Sequence, residues 1–255
     1  MGVDKNIKDV QIKDQYVAGL QIDKKLVSQV QKSYIENKTR QQSYLEELIQ
    51  NDNFEFKEVA DVACGGGHLT FWLNKKYPYC KYTLIDLNEY LLAEARALNS
   101  GSNFCFKIGN IYELDSVNDE VFDLTCCWQT LSWLEHPEIA LKELVRITKP
   151  GGRLYLSSLF NLDHDVDIYS KVYDWTRDST KHGHYAFYNT YSMRTINQWL
   201  KELVSNIDLY VFDIDIDLPD KPRGLGTYTL NLQDGKRLQI SAGMLLNWGI
   251  LKITK

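Results

Sequence analysis

From Glu58 onward, short apolar runs alternate with stretches whose apolar residues recur every three or four positions. The runs at 58–63, 81–86, 103–108, 121–127 and 152–158 have the length of strands. Segments near 67–76, 88–98 and 137–148 carry helical spacing. Such alternation predicts parallel strands, right-handed crossovers and helices on both faces of one sheet, a doubly wound α/β fold. Upstream, Leu26, Val30, Tyr34, Leu45, Leu48 and Ile49 predict helix between Asp23 and Gln50, with a break in the polar stretch Glu36–Gln42. Residues 1–56 read as an N-terminal helical extension and 57–255 as one domain. Within that domain, 160–191 is an irregular, aromatic-rich insert following strand five. A helix at 192–204 and a strand at 207–217 follow, the latter with Asp213, Asp215 and Asp217 on its outer face. Asp234-Gly235 between 227–232 and 237–241 signals a hairpin, and 245–254 reads as the final strand.

The first strand runs into chemistry. Asp61-Val62-Ala63-Cys64-Gly65-Gly66-Gly67 leads directly into a helix. Without side chains at the glycines, a ligand can approach the backbone and the N–H groups of the helix start. In an open parallel sheet that turn faces the ligand crevice. A dinucleotide fingerprint from Gly65 and Gly67 would need glycine at position 70, which is Thr70; one register earlier needs glycine at Ala63 and His68. Neither register fits. The series Asp61-x-Ala63-x-Gly65-x-Gly67 instead resembles the D-x-G-x-G-x-G turn of class I S-adenosyl-L-methionine (SAM) methyltransferases, with Ala63 in place of the first glycine.

Four later landmarks extend the resemblance over roughly 57–160. Asp86-Leu87 closes the second strand with a carboxylate able to accept from both ribose hydroxyls, or alternatively to cap the next helix. Gly109-Asn110-Ile111 stands where the family usually places an acid toward the adenine amino group; asparagine can accept and donate there, or serve only the turn. Cys127-Trp128-Gln129 matches the end of the fourth strand, at the methionine end of the donor. Lys149-Pro150-Gly151-Gly152 resembles the structural turn entering strand five. The resemblance implies a seven-stranded, mostly parallel sheet with an antiparallel C-terminal strand. It also implies SAM as cofactor and S-adenosyl-L-homocysteine (SAH) as product. Family members often fold the N-terminal region over the donor, which makes Tyr16, Tyr34 and Arg40 candidates for cofactor contact.

Composition narrows the acceptor. The 255 residues carry a formal net charge of −5, which argues against a nucleic-acid substrate. No N-P-P-Y-type run follows the fourth strand, the signature expected of amino-group nucleic-acid methylases. No apolar run is long enough to span a bilayer and the first residues do not resemble a secretion signal, so a cytoplasmic, non-membrane protein is expected. The five cysteines lack zinc-ligand spacing and most sit in apolar runs that read as buried strands, and Cys126-Cys127 should face opposite sides of a strand.

The insert holds three of the five histidines. His164, His182 and His184 are the candidate general bases, and Tyr185 could orient an acceptor. Asp163, Asp165 and Asp167 are expected to be solvated acids, and no metal is expected. The expected activity is methyl transfer to a small polar acceptor, preferably at oxygen, with a sugar or surface-glycan precursor as one case. N-methylation of a small metabolite, a non-catalytic SAM-binding regulator and a Rossmann oxidoreductase are the alternatives. Oligomeric state is not encoded in any of these signals.

Overall fold

The computed structural model describes residues 35–162, 164–174, 184–214, 216–218, 228–241 and 244–255. Helix α1 (Arg40–Asp52) precedes the alternating array β1 (Glu58–Val62), α2 (His68–Lys76), β2 (Lys81–Asp86), α3 (Glu89–Leu98), β3 (Phe104–Ile108) and β4 (Phe122–Trp128). A short 3-10 turn (Leu131–Trp133) leads to α4 (Pro137–Ile147) and the long β5 (Thr148–Asn161). Then follow β6 (Lys171–Asp174), β7 (His184–Phe187), β8 (Tyr191–Ser192), α5 (Met193–Leu200) and β9 (Asn206–Phe212). A hairpin of β10 (Tyr228–Asn231) and β11 (Arg237–Ser241) precedes β12 (Met244–Thr254).

The main sheet runs β3-β2-β1-β4-β5-β12-β9. Strands β1 to β5 are mutually parallel, whereas β12 is antiparallel to β5 on one side and to β9 on the other. The chain order thus reverses between β1 and β4, the place where open α/β sheets form a ligand crevice.

Alternating side chains sort the core onto two faces. Cys126, Tyr155 and Ile250 pack with Leu45 and Ile49 of α1, Leu69 and Leu73 of α2 and Leu92 of α3. Cys127, Leu156 and Leu251 pack with Leu141 and Leu144 of α4 and Ile196 and Leu200 of α5. The two adjacent cysteines do face opposite sides. Helix α1 therefore shares the core of the sheet.

Helix α1 starts where the polar stretch predicts a break. The Thr39 side chain accepts from the Gln42 N–H while the Gln42 side chain accepts from the Thr39 N–H, a reciprocal cap. Three boundaries differ most from the sequence reading. Strand β5 begins at Thr148, because Lys149–Gly152 forms an irregular start to the strand, with Gly151 at φ 76° and a register shift between Phe122 and Leu124. Helix α5 stops at Leu200, and β9 stops at Phe212. Asp213 hence lies beyond the strand and Asp217 bonds Arg237 instead of lining a strand face; Asp215 is outside the described residues. The insert is also more regular than expected: β6 and β7 pair antiparallel, and an Ile168–Thr190 bridge continues their ladder.

Candidate functional site

The site begins where β1 ends. Val59, Ala60 and Val62 are buried, so the strand is fixed by the core up to the turn. Ala63 then takes φ 58°, Gly65 φ 53° and Gly67 φ 76°. At Ala63 the left-handed conformation explains why the related motif has glycine: the methyl group is tolerated, but strained by about 1 kcal/mol. The three glycine positions are not equivalent. A Cβ built at Gly65 meets nothing within 4 Å, which leaves the outer side of the turn open. One built at Gly67 would lie 2.6 Å from Asn99 Nδ2 and 3.0 Å from Ala95 Cβ, so this glycine serves close packing of α2 on α3. Gly66 is buried in the same turn.

Two carboxylates sit beneath the turn, each only 2% exposed. Asp86, at the end of β2, accepts from the Gly65 N–H (2.8 Å) through Oδ2 and from the Asn88 N–H (2.8 Å) through Oδ1. Burial raises its carboxyl above the usual carboxylate range, against the pull of those N–H groups. The helix cap is Asn88, whose Oδ1 accepts from the Tyr90 and Leu91 N–H groups, so capping is not the task of Asp86. Asp61 accepts from the Thr70 hydroxyl at 2.7 Å, and its other oxygen, Oδ1, is buried with no hydrogen-bond partner. Desolvation, together with nearby Asp86, pushes Asp61 up to about 7. Thr70, the residue that breaks the dinucleotide fingerprint, is thus the anchor of this acid.

The neighbouring strand ends complete the rim. Leu87 is half-buried beside Asp86. The Gly109 N–H donates to the Asp86 carbonyl, and a Cβ there would lie 2.7 Å from Ile85 Cγ2. Asn110 Oδ1 accepts from the Tyr112 N–H, so its oxygen serves the turn, while Ile111 and Tyr112 enter the core. After β4, burial pushes the Cys127 thiol up to about 12, which keeps it a protonated core residue. Trp128 is half-buried. Gln129, at φ 53°, donates its N–H to Ser157 Oγ and its side-chain amide to Gln41 Oε1 (2.8 Å), joining this loop to α1.

The insert divides less evenly. His164 lies exposed in a bend after β5. Asp165 is 3.4 Å from Arg194, while Asp167 accepts from the Ser192 N–H and the Thr195 hydroxyl. Asp167 is therefore engaged in fixing the start of α5 instead of being freely solvated. Asp163 is outside the described residues, and among the described residues no cluster could hold a metal ion. His184 and Tyr185 open β7, in register with Asp174 and Tyr173 of β6. His182, Tyr16 and Tyr34 lie outside the described residues; Arg40 is exposed as the first residue of α1.

Several contributors escaped the sequence pattern because only tertiary contact reveals them. Trp133, 49% exposed, packs edge-on against Tyr188 with ring centroids 4.8 Å apart. Asn189, buried, donates its N–H to the Ser132 carbonyl and its amide to the Leu134 carbonyl, and accepts from the Ser170 N–H. It joins the turn after β4 to the β6–β7 ladder. The Tyr112 hydroxyl accepts from the Glu135 and His136 N–H groups, fixing the entry to α4.

Known proteins agree with this geometry. Residues 60–156 match the family profile described as a methyltransferase domain. A malonyl-[acyl-carrier protein] O-methyltransferase of Erwinia billingiae is 34% identical over 107 residues, 40% of this chain and 39% of that protein. A ubiquinone biosynthesis O-methyltransferase of Idiomarina loihiensis is 32% identical over 116 residues, 44% of this chain and 47% of that protein. The chain thus spans less than half the length of these curated relatives. A solved SAM-dependent methyltransferase of Thermotoga maritima shares the fold at TM-score 0.52 and 17% identity, over 92% of this chain and 98% of that one. Domains of this class use SAM, and the open side of Gly65 with the paired acids beneath it suits a cationic ligand approaching the backbone. Glycine turn, strand order and profile converge: residues 60–156 are similar to a methyltransferase domain, set in an α/β fold that solved SAM-dependent methyltransferases share.

Proposed function

We propose that this chain transfers a methyl group from SAM to the oxygen of a small polar acceptor. The observation that carries the reading is the crevice at the ends of β1, β2 and β4, where an open glycine turn is bonded directly to a buried carboxylate. When bound, SAM supplies an activated methyl group on a sulfonium. Asp86 would hold the ribose hydroxyls, since each carboxylate oxygen has a lone pair beyond the one its N–H partner uses. Gly65, Gly66 and Gly67 present backbone with no side chain in the way, and Leu87, Asn110 and Ile111 line the adenine side. Ala63, Asp61 and the Cys127–Gln129 segment would face the methionine end. Tyr16, Tyr34 and Arg40 are proposed to close over it.

Oxygen is favoured because both curated relatives named above are O-methyltransferases by name. An alcohol or phenol must lose a proton during transfer, so a base is useful where an amine would need none. His184, His164 and His182 are the proposed bases, with Tyr185 as acceptor-orienting group. His184 stands first because the register sets Asp174 directly across the ladder from it. A sugar or glycan precursor belongs in the same acceptor screen as phenols, carboxylic acids and amines.

Calorimetric titration with SAM and SAH tests the donor site. Asp86→Ala should weaken adenosyl-ligand binding at least tenfold, about 1.4 kcal/mol. Once an acceptor is found, His184→Ala should lower turnover and leave SAM affinity unchanged. Unaltered SAM binding in Asp86→Ala, or full activity in all three histidine variants, would remove the corresponding assignment.

A further inference from the structure

Asp61 is more deeply committed than a turn-anchoring acid needs to be. It stands one residue before the end of β1, within the buried run and opposite Leu84 of β2 and Cys126 of β4. One oxygen takes the Thr70 hydroxyl from α2; the other is sealed from solvent without any donor. The titratable groups around it are poor counter-charges. Asp86 on β2 is another acid, Cys64 in the turn and Cys126 and Cys127 on β4 are thiols held protonated by burial, and His68 stands at the start of α2. A half-satisfied carboxyl in such surroundings favours its neutral form until a positive charge arrives.

The donor and its product differ in that charge. SAM carries a sulfonium in addition to its zwitterionic amino acid, whereas SAH is neutral overall. Resting on the reading of this turn as the SAM site, we propose that Asp61 ionises when the cationic donor binds and thereby sets the preference for donor over product. Its proton passes to solvent as the donor enters and returns when SAH remains, so spent product leaves a site that no longer favours it. Burial holds the carboxyl near neutrality, which lets a modest change in ligand charge shift its ionisation.

The test is calorimetry on the full chain with SAM and with SAH, in phosphate and in Tris at pH 7.0, which separates proton release from binding heat. SAM should release several tenths of a proton more per site than SAH. Between pH 5.5 and 7.0, where the donor's own amine stays protonated, the SAM-to-SAH affinity ratio should rise about fivefold. Asp61→Asn should abolish both effects. Should that variant fail to fold, Thr70→Val provides the check: losing the hydroxyl that stabilises the charged form should move the transition to higher pH. Equal proton release for the two ligands, or an unmoved transition in Thr70→Val, overturns the proposal. Absence of binding by either ligand at every pH would instead overturn the SAM-site reading beneath it.

Discussion

Ala63 and Asp61 show how single positions in one turn combine tolerance and tension. Ala63 holds φ 58°, a conformation for which alanine is the wrong residue on backbone grounds. Ala63→Gly should raise stability by roughly 0.5 kcal/mol, the relieved strain exceeding the added freedom of the unfolded chain. A shift of the urea midpoint reads this, and a loss of stability would mean that the methyl group packs usefully. Asp61 predicts a pH trend. Its folded value of about 7 lies above its unfolded value, so the folded chain binds the proton more tightly. Stability from this group is present at low pH and is lost as pH rises toward and through 7, by up to about 4 kcal/mol. Thermal unfolding without ligand should therefore show a downward slope from pH 5 to 8 that Asp61→Asn reduces. The motif letters were legible because glycine and aspartate mark a turn in any sequence. That Thr70 answers Asp61 was not, since nine positions apart on strand and helix they meet only through the fold.

The elements that the hydrophobic pattern predicts best lie in the alternating array from β1 to α4. Strands β1 to β4 and helices α2, α3 and α4 fall within a residue or two of their predicted limits, because each carries one clear period of apolar residues bounded by turn residues. The pattern fails where pairing depends on partners far along the chain. The β6–β7 ladder mixes Lys171, Asp174, His184 and two tyrosines with three apolar residues, and that polarity hides it; the irregular start of β5 looks like a turn because glycine and proline do mark turns. Asn189 is the connection between these elements, with three backbone bonds reaching the turn after β4 and the ladder base. Asn189→Ala leaves the Leu134 carbonyl and the Ser170 N–H unanswered, at about 1–3 kcal/mol in total. The loss should be local: hydrogen exchange should quicken at 131–134 and 168–171 while β1 and β2 keep their protection. Uniform loss across the sheet would contradict that division.

For the whole molecule, Asp52 at the end of α1 is the principal tie between the helix and the sheet. It lies 2.6 Å from Arg153 on β5 and 3.2 Å from Lys252 on β12, and it also accepts from the Tyr155 hydroxyl. Those partners, outweighing its burial, hold the carboxyl below the usual range. Its contribution is present above the unfolded value near 4 and is lost as pH falls through the lower folded value. Asp52→Ala removes the carboxylate partner of Arg153 in a largely buried place and leaves Lys252 with Asp208 alone, and should cost about 2–4 kcal/mol by denaturant titration. An effect under 0.5 kcal/mol would mark the cluster as an ordinary surface pair. Overall order and class were legible from the alternation alone, but the tie was not, because its members stand about a hundred and two hundred positions from Asp52. The same distance governs how the sheet is completed. Strand β12 fills the gap between β5 and β9, so every nascent or truncated chain ending before residue 244 carries two open strand edges side by side. Such edges pair with whatever strand is nearest, including those of other chains. A chain cut before β12 should therefore self-associate, and during synthesis these edges remain open until β12 has emerged from the ribosome.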